Sequence, residues 1–318
     1  MGMLTFSKPF GFLETGEDWN NALHQIRVAG DSVAWVGQYP WLYALCQRTI
    51  FPIFGNQFAL ADRNGAVREF AANHCQIRQD EGAYAQPDIM QKLLYTHDKY
   101  PTDFDDDAVQ SMAATNVFGG TETTASSIRA RRVKQAAGRD RQNVSRALLA
   151  YRNSHPLRLA DTMPYLHAVI HESMRLFPAL GQPLARVAPS EGVEISGHFF
   201  PAGTQLTVYE WSLHRDKTIF GEDAYEFRPE RWLDTERARR MHRCFFSFGS
   251  GARTCLGRNL AWMEMLKVVS TLFRHYEVEL VDPGAEWVIE GGFIKGQRDI
   301  NVVLKHRLDY CEHMENQN

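Results

Sequence analysis

The ten residues FGSGARTCLG, at positions 248–257, form a glycine-containing stretch that ends in a cysteine followed by Leu-Gly. Directly after it, apolar side chains recur at spacings of three and four, which places them on one face of a helix. Those side chains are Leu256, Leu260, Met263, Leu266, Val269 and Phe273. The pattern predicts a helix from Leu256 to Tyr276, with Cys255 where the loop meets the helix N-terminus.

This position favours the ionised form of Cys255. The helix dipole and the free amides of a first turn stabilise a thiolate, and glycines allow the backbone to point those amides at the sulfur. Arg253 adds a positive charge nearby. A soft thiolate held in this way suits iron, above all as the axial ligand of a haem. The alternative is a structural cysteine beside a tight turn, but the ten-residue spacing favours the iron ligand.

The segment resembles the cysteine-loop signature of cytochromes P450, in which Phe, Gly, Arg, Cys and Gly recur at these offsets. The resemblance implies that Cys255 is the proximal ligand of haem b (iron protoporphyrin IX). It also implies that Phe248 packs beside the thiolate and that Arg253 contacts a haem propionate. Gly249 and Gly257 fall on the glycine positions of the signature and are assigned to the cofactor site.

A second motif lies in the helical segment MPYLHAVIHESMRLFP, residues 163–178, which Pro178 ends. Glu172 and Arg175 are three residues apart and so share a helix face, where they can pair. The segment is otherwise apolar, so we expect a buried pair that needs further partners. FRPERW, residues 227–232, resembles the second signature of the family. Its arginine, Arg231, is implied to complete a structural triad that fixes the cysteine loop.

A third motif, GGTETT at residues 119–124, places two adjacent glycines inside a predicted helix. Each costs about 1 kcal/mol relative to alanine, and a locally broken rule often marks a functional site. Close helix packing explains the glycines equally well. The motif is similar to the oxygen-binding groove of the P450 distal helix, although the family more often has Ala at Gly119. The similarity implies that Thr123 helps to deliver the protons that O–O cleavage consumes, with Glu122 as its acidic neighbour.

Weaker signals agree with this assignment. Arg186, in GQPLARVAP (181–189), matches a position that contacts a propionate in relatives, and His214-Arg215-Asp216 resembles a family segment ahead of the arginine-containing coil. Alone, each would more often be a polar surface residue. Apolar or small residues are expected to face a hydrophobic substrate; they are Ala114, Val117, Phe118, Leu180 and Phe293.

Composition narrows the function classes. The 318 residues are 44% hydrophobic, enough for a sizeable core, and a net charge of −3 argues against a nucleic-acid binder. Five scattered cysteines without a CxxC pair favour a reducing compartment over a disulfide scaffold or a zinc site. We find no secretory signal and no run of about 18 apolar residues. As written, the chain is expected to be soluble and cytoplasmic, whereas the intact family member is anchored in the endoplasmic reticulum membrane.

The expected fold class is mainly α with small β-sheets, the C-terminal part of the P450 fold. An acidic run at 103–107 predicts a helix start because carboxylates cap free amides. Alternation over 193–209 predicts a β-hairpin with its turn at Pro201-Ala202-Gly203. VIEGGFIKG (288–296) and DINVVLKHR (299–307) predict two short strands.

The resemblance extends over about residues 4–307, so residues 1–318 are expected to form a partial P450 domain. Residues 129–159 depart from it: they are rich in arginine where the family has an apolar helix and an acidic loop. We interpret them as an atypical insertion, a translated intron or a shifted reading frame; the alternative is a solvated basic loop.

The predicted activity is that of a haem-thiolate monooxygenase, which inserts one oxygen atom into a hydrophobic small molecule. The resemblance implies electrons from NADPH through NADPH–cytochrome P450 reductase. The sequence is similar to fungal enzymes of secondary metabolism, of the pisatin demethylase type. Two alternatives remain: a truncated, non-catalytic remnant, and a small-molecule binding protein without redox chemistry.

Overall fold

The computed structural model describes residues 1–18, 21–36, 39–49, 65–81, 86–129, 163–282, 284, 288–298 and 300–306. The atypical segment 129–159 therefore lies outside the described residues, apart from Arg129. The chain divides into two compact units, one within Met1–Thr123 and Gly291–Ile294 and the other within Thr124–Glu290 and Lys295–Asn318. No helix of the described residues is long and apolar enough to cross a bilayer.

The first unit is helical. Its described helices are α1 (Gly2–Phe6), α2 (Phe12–Thr15), α3 (Ala22–Val36), α4 (Pro40–Thr49), α5 (Gly65–Glu81), α6 (Ile89–Lys99) and the greater part of α7 (Asp106–Arg129). The acidic run starts α7, because the Asp105 carboxylate accepts the Ala108 amide at 2.9 Å and Asp106 and Asp107 occupy the first turn. Its core gathers side chains from α1, α3, α5, α6 and α7, among them Phe6, Ile26, Phe70, Met90 and Val109.

The second unit combines helices with small sheets. Its helices are α8 (Pro164–Leu176), α9 (Glu210–Leu213), α10 (Lys217–Phe220), α11 (Thr235–Arg243) and α12 (Arg258–His275), with 3-10 turns at Pro229–Trp232 and Gly251–Arg253. Its strands are β1 (Arg186–Val187), β2 (Val193–Ile195), β3 (His198–Phe200), β4 (Gln205–Leu206), β5 (Tyr276–Leu280), β6 (Val288–Glu290), β7 (Gly296–Arg298) and β8 (Val302–His306). Apolar faces of α8 and α12 meet in its main core, as Val169 and Ile170 do with Leu266 and Val269.

The predicted hairpin exists, but its turn lies earlier than expected. β2 pairs with β3 across Ser196 and Gly197, which have φ values of 52° and 77°. A tight type I′ turn needs positive φ at both central residues, and proline, with its fixed negative φ, cannot supply it. Pro201-Ala202-Gly203 instead leads into β4, which pairs with β1.

The C-terminal strands also differ from the prediction. VIEGGFIKG contributes both β6 and the start of β7, which pair with each other, because Gly291 turns the chain at a φ of 104°. DINVVLKHR contributes β8, which pairs with β5, a strand that the sequence patterns do not indicate. The fold class itself, helices with small two-stranded sheets, is confirmed.

Candidate haem-thiolate site

The cysteine loop leaves α11 and closes on itself before α12. Gly249 and Gly251 have φ values of 66° and 69°, in the left-handed region where glycine is favoured. The Gly249 amide donates to the Phe246 carbonyl at 2.7 Å, and the Cys255 amide donates to the Phe248 carbonyl at 2.8 Å. These bonds fix the position of Cys255 relative to Phe246 and Phe248, where the loop begins.

The cysteine lies just before the helix. α12 begins at Arg258, two residues later than predicted, because Gly257 is its N-cap. The Arg258 amide donates to the Cys255 carbonyl at 3.3 Å. Cys255 is exposed, and the side chain of Leu256 is 102% exposed. The loop thus presents a sulfur and an apolar side chain together at its surface.

Phe248 lies on the inner side of the loop. It is half-buried and packs against the core that α8 and α12 share. The Arg258 guanidinium lies over its ring, 5.8 Å from the centroid. The aromatic ring therefore ties the loop to α12 and to α8, the helix that carries Glu172 and Arg175.

Behind the loop, the second motif forms a fully buried charge network. Arg175 donates from Nε and Nη2 to the two oxygens of Glu172, both at 2.8 Å. Arg231 donates from Nε to Glu172 Oε1 at 3.0 Å. Glu172 and Arg175 are 0% exposed and Arg231 is 1% exposed, so the network depends on partners other than water.

Those partners are Arg228 and Trp232 within FRPERW, together with backbone carbonyls outside it, and none of them was assigned to the network from the sequence. The Trp232 indole donates to Glu172 Oε2, and the Arg228 amide donates to Oε1, both at 2.9 Å. Arg175 Nη1 donates to the carbonyls of His214 and Ala224, both at 2.6 Å. The tryptophan next to Arg231 is a signal that a sequence can show, whereas backbone donors and acceptors leave none.

Arg231 also binds the coil that precedes it. Its Nη1 donates to the Phe220 carbonyl at 2.5 Å and to Asp223 Oδ1 at 3.1 Å. The Arg231 and Arg228 guanidinium groups hold the pKa of Asp223 below its usual value, although burial opposes them as the largest single effect. The coil between α10 and the 3-10 turn is thus fastened to α8.

His214 links this network to the loop. It is fully buried, Phe246 donates its amide to His214 Nε2 at 2.9 Å, and His214 Nδ1 lies 3.2 Å from the Arg175 carbonyl. Burial, with the charges of Arg175 and Arg215, lowers the pKa of His214 to about 4. The histidine is therefore neutral at physiological pH.

The third motif lies in α7, which is continuous through residues 119–124. The Thr123 hydroxyl donates to the Gly119 carbonyl at 2.5 Å. Glu122 is buried and pairs with Arg27, with 3.4 Å between Oε1 and Nε. A side chain at Gly120 would meet that of Met1, whereas one at Gly119 would meet nothing within 4 Å. The Met1 side chain is flexible and can move aside, so packing requires a glycine at neither position.

Some assigned residues contact less than expected. Arg186 is exposed on β1, and its guanidinium donates to the Leu184 and Ala185 carbonyls at 3.3 and 3.0 Å. Arg253 is exposed, with no ion pair in the part of the chain that the structure describes.

Ala114 and Val117, expected to face substrate, are 4% and 3% exposed and pack in the first unit's core. Glu122 and Thr123 belong to the first unit and Cys255 to the second.

The cysteine loop and the buried Glu-Arg-Arg network both lie in a stretch of sequence that a known family model matches. The model for cytochrome P450 matches residues 1–303. The chain belongs to the cytochrome P450 family. The family assignment made from the sequence is confirmed, while likeness to pisatin demethylase stays a prediction.

Curated relatives of this cytochrome P450 are fungal. A cytochrome P450 monooxygenase of Aspergillus terreus is 32% identical over 295 residues, covering 87% of this chain and 59% of the relative. Cytochrome P450 monooxygenase hepC of Aspergillus oryzae is 35% identical over 297 residues, covering 90% and 57%. The chain thus spans less than two thirds of the length of these relatives.

A solved structure agrees on the fold. A crystal structure of a cytochrome P450 matches with a TM-score of 0.73 at 22% identity, covering 96% of this chain and 65% of that chain. At this identity the likeness concerns the fold alone.

The cofactor of the P450 family is a haem whose iron is held by a thiolate, and the loop fits such a group. Gly257 has a φ of −81°, which any residue adopts, and a Cβ there would make only an ordinary contact, 3.8 Å from Cys255 Sγ. Neither backbone strain nor a clash within the protein explains this glycine. A glycine there leaves space beside the sulfur, and the exposed Leu256 supplies an apolar surface next to it, which suits a haem.

Proposed function

We propose that this cytochrome P450 is a monooxygenase that inserts one oxygen atom into a hydrophobic small molecule, with Cys255 as the proximal ligand of haem b. The observation that carries the proposal is the closed loop that holds an exposed Cys255 beside the open space at Gly257. When bound, the haem would supply the activation of dioxygen.

The chain's own residues would bind and orient this group. Cys255 would donate sulfur, and Leu256 and Phe248 would provide apolar contact. Arg253 and Arg186 carry exposed guanidinium groups, which suit the bidentate binding of propionate carboxylates.

In this proposal, Thr123 and Glu122 would handle the protons that the reaction consumes. The bond from the Thr123 hydroxyl to the Gly119 carbonyl gives the hydroxyl one orientation along α7. Glu122 is held by Arg27, so any proton transfer from it would require that ion pair to loosen. We therefore assign the proton-delivering role to Thr123, with Glu122 as its acidic neighbour.

The redox partner would be a reductase, and we propose NADPH–cytochrome P450 reductase as the electron source. The curated relatives named above are monooxygenases of Aspergillus species, which supports a role in fungal secondary metabolism. A pisatin demethylase-like reaction is the finer form of this proposal.

The test is the carbon monoxide difference spectrum of the reduced, haem-loaded full chain. Wild-type protein should show the strongly red-shifted Soret band of a thiolate-bound iron, and Cys255→Ser should lose it. Cys244→Ser is the matched control, because Cys244 is half-buried at the end of α11 and should leave the band unchanged. Wild-type protein that retains no haem would contradict the proposal and favour the non-catalytic remnant.

A further inference from the structure

We propose that His214 is a positioning residue, which transmits the geometry of the buried Glu172–Arg175–Arg231 network to the cysteine loop through the amide of Phe246. The inference deepens the proposed function and rests on it, because the object positioned is the thiolate of Cys255. No catalytic contact is assigned to His214.

The contacts of His214 allow only one form of its ring. A backbone N–H can only donate, so the Phe246 amide at 2.9 Å requires an unprotonated Nε2. Nδ1 then carries the hydrogen, and it faces the Arg175 carbonyl at 3.2 Å, which can only accept. A neutral imidazole protonated at Nδ1 satisfies both partners, and an imidazolium would leave the Phe246 amide facing another donor.

The link to the network runs in both directions. Arg175 Nη1 donates to the His214 carbonyl at 2.6 Å, while the His214 ring donates back to the Arg175 carbonyl. The ring also stacks on Phe245, with 5.3 Å between centroids and 9° between planes. The low pKa of His214, caused first by burial, agrees with a permanently neutral ring.

From Phe246 the path continues along the backbone to the cysteine. The Phe246 carbonyl accepts the Gly249 amide at 2.7 Å, and the Phe248 carbonyl accepts the Cys255 amide at 2.8 Å. The Ser247 hydroxyl makes a parallel link to the Met174 carbonyl on α8, at 3.3 Å. Because this second link persists, loss of the His214 bond should loosen the loop without unfolding it.

Two substitutions separate hydrogen bonding from packing. His214→Gln keeps one acceptor and one donor on a neutral side chain, whereas His214→Phe keeps a flat ring for stacking but removes both polar atoms. In haem-free full chain, hydrogen exchange followed by mass spectrometry should show amides of 245–257 exchanging roughly tenfold faster in His214→Phe, since a buried amide loses its acceptor. His214→Gln should stay close to wild type.

The matched control is Val109→Ala, in the core of the first unit. It should lower the unfolding midpoint while leaving the exchange rate of amides 245–257 unchanged. Faster exchange of these amides in His214→Phe would then be a local effect and not a result of lower global stability. In the haem-loaded protein, the red-shifted Soret band should weaken in His214→Phe and return in His214→Gln. Loop exchange in His214→Phe at the wild-type rate would overturn the proposal.

One measurement needs no variant. Nitrogen NMR of the wild-type protein at neutral pH should show that the His214 ring is protonated at Nδ1 and unprotonated at Nε2. The opposite tautomer or an imidazolium would overturn the proposal, even if His214→Phe failed to fold. Wild-type protein without the red-shifted Soret band would contradict the proposed function instead. Hydrogen exchange and NMR of the haem-free protein would still decide the role of His214.

Discussion

At the scale of single residues, the glycines of the cysteine loop differ in why they must be glycine. Gly249 and Gly251 have positive φ, so the backbone itself favours them. Gly257 has an ordinary φ, and a Cβ there would reach only the sulfur of Cys255. The first two glycines shape the loop, whereas the third leaves space beside the Cys255 sulfur.

This difference predicts separate effects for two alanine substitutions. Gly249→Ala should destabilise the fold by about 1 kcal/mol, the cost of a left-handed non-glycine residue. Gly257→Ala replaces the N-cap of α12 and should cost about 0.5–1 kcal/mol of stability, but unlike Gly249→Ala it should also weaken haem binding, because its methyl group lies beside the Cys255 sulfur. Chemical denaturation of haem-free protein and haem titration measure the two effects. Unchanged haem affinity in Gly257→Ala would remove the proposed role of this glycine.

Glu210 is a second residue whose surroundings predict an effect. Burial raises its pKa to about 7, and its Oε2 is buried without a hydrogen-bond partner among the described residues. Ionisation in the folded state is therefore opposed, and stability falls as pH rises from the ordinary carboxyl pKa to about 7. Glu210→Gln should raise the unfolding midpoint at pH 8 but not at pH 4. Equal shifts at both values would refute this explanation.

At the scale of elements, helix α8 connects the core to the coil around it. Its apolar face packs on α12, while Arg175 binds the coil that contains Asp223 and Ala224, and Glu172 binds Arg231 in the 3-10 turn that follows this coil. A buried ion pair gains little by itself, but this one also satisfies buried backbone groups of the coil. The network thus specifies how this coil lies against α8.

Breaking the network should be costly. Glu172→Gln leaves Arg175 without a compensating charge and Arg231 with that of Asp223 alone, so it should destabilise the protein by roughly 3–5 kcal/mol. Glu236→Gln is the matched control: it breaks an exposed pair with Arg239, also three residues apart, and should cost less than about 1 kcal/mol. Urea unfolding of both variants measures the difference. Similar losses in the two would contradict the buried network's role.

At the scale of the whole molecule, two histidines buried in the second unit make stability depend on pH. Burial lowers the pKa of His171 to about 3 and that of His214 to about 4. His171 lies between Trp232 and Trp262, with ring centroids at 5.0 and 4.5 Å. Both rings are neutral in the folded protein, whereas the unfolded chain protonates them near the ordinary histidine pKa of 6.5.

Stability should therefore be fully present above pH 6.5 and fall as the pH drops toward 4 and then 3. Glu210 opposes this trend, so the measurement belongs in the Glu210→Gln background. Near pH 5, these two histidines should together bind about two more protons in the unfolded chain than in the folded protein. His214→Gln should reduce this proton uptake by about one. Urea midpoints from pH 4 to 8 give the proton uptake; a flat profile would exclude buried neutral histidines.

The sequence by itself determined the family and predicted Cys255 as the iron ligand, because both inferences depend on short-range spacing. The loop before α12 and the three-residue separation of Glu172 and Arg175 are local patterns, and local backbone geometry turns them into neighbours in space. The same reasoning placed the hairpin turn wrongly, since Pro201-Ala202-Gly203 resembles a turn as strongly as Ser196-Gly197 does.

Only the tertiary structure decided which distant groups complete the site. His214 and Phe246 are 32 residues apart, and Trp232 and Glu172 are 60 apart. The backbone carbonyls that hold Arg175, and the pairing of Glu122 with Arg27, likewise follow from packing. Such contacts form because buried polar groups must find partners, and which partner is within reach depends on how the helices and coils pack rather than on their order in the chain.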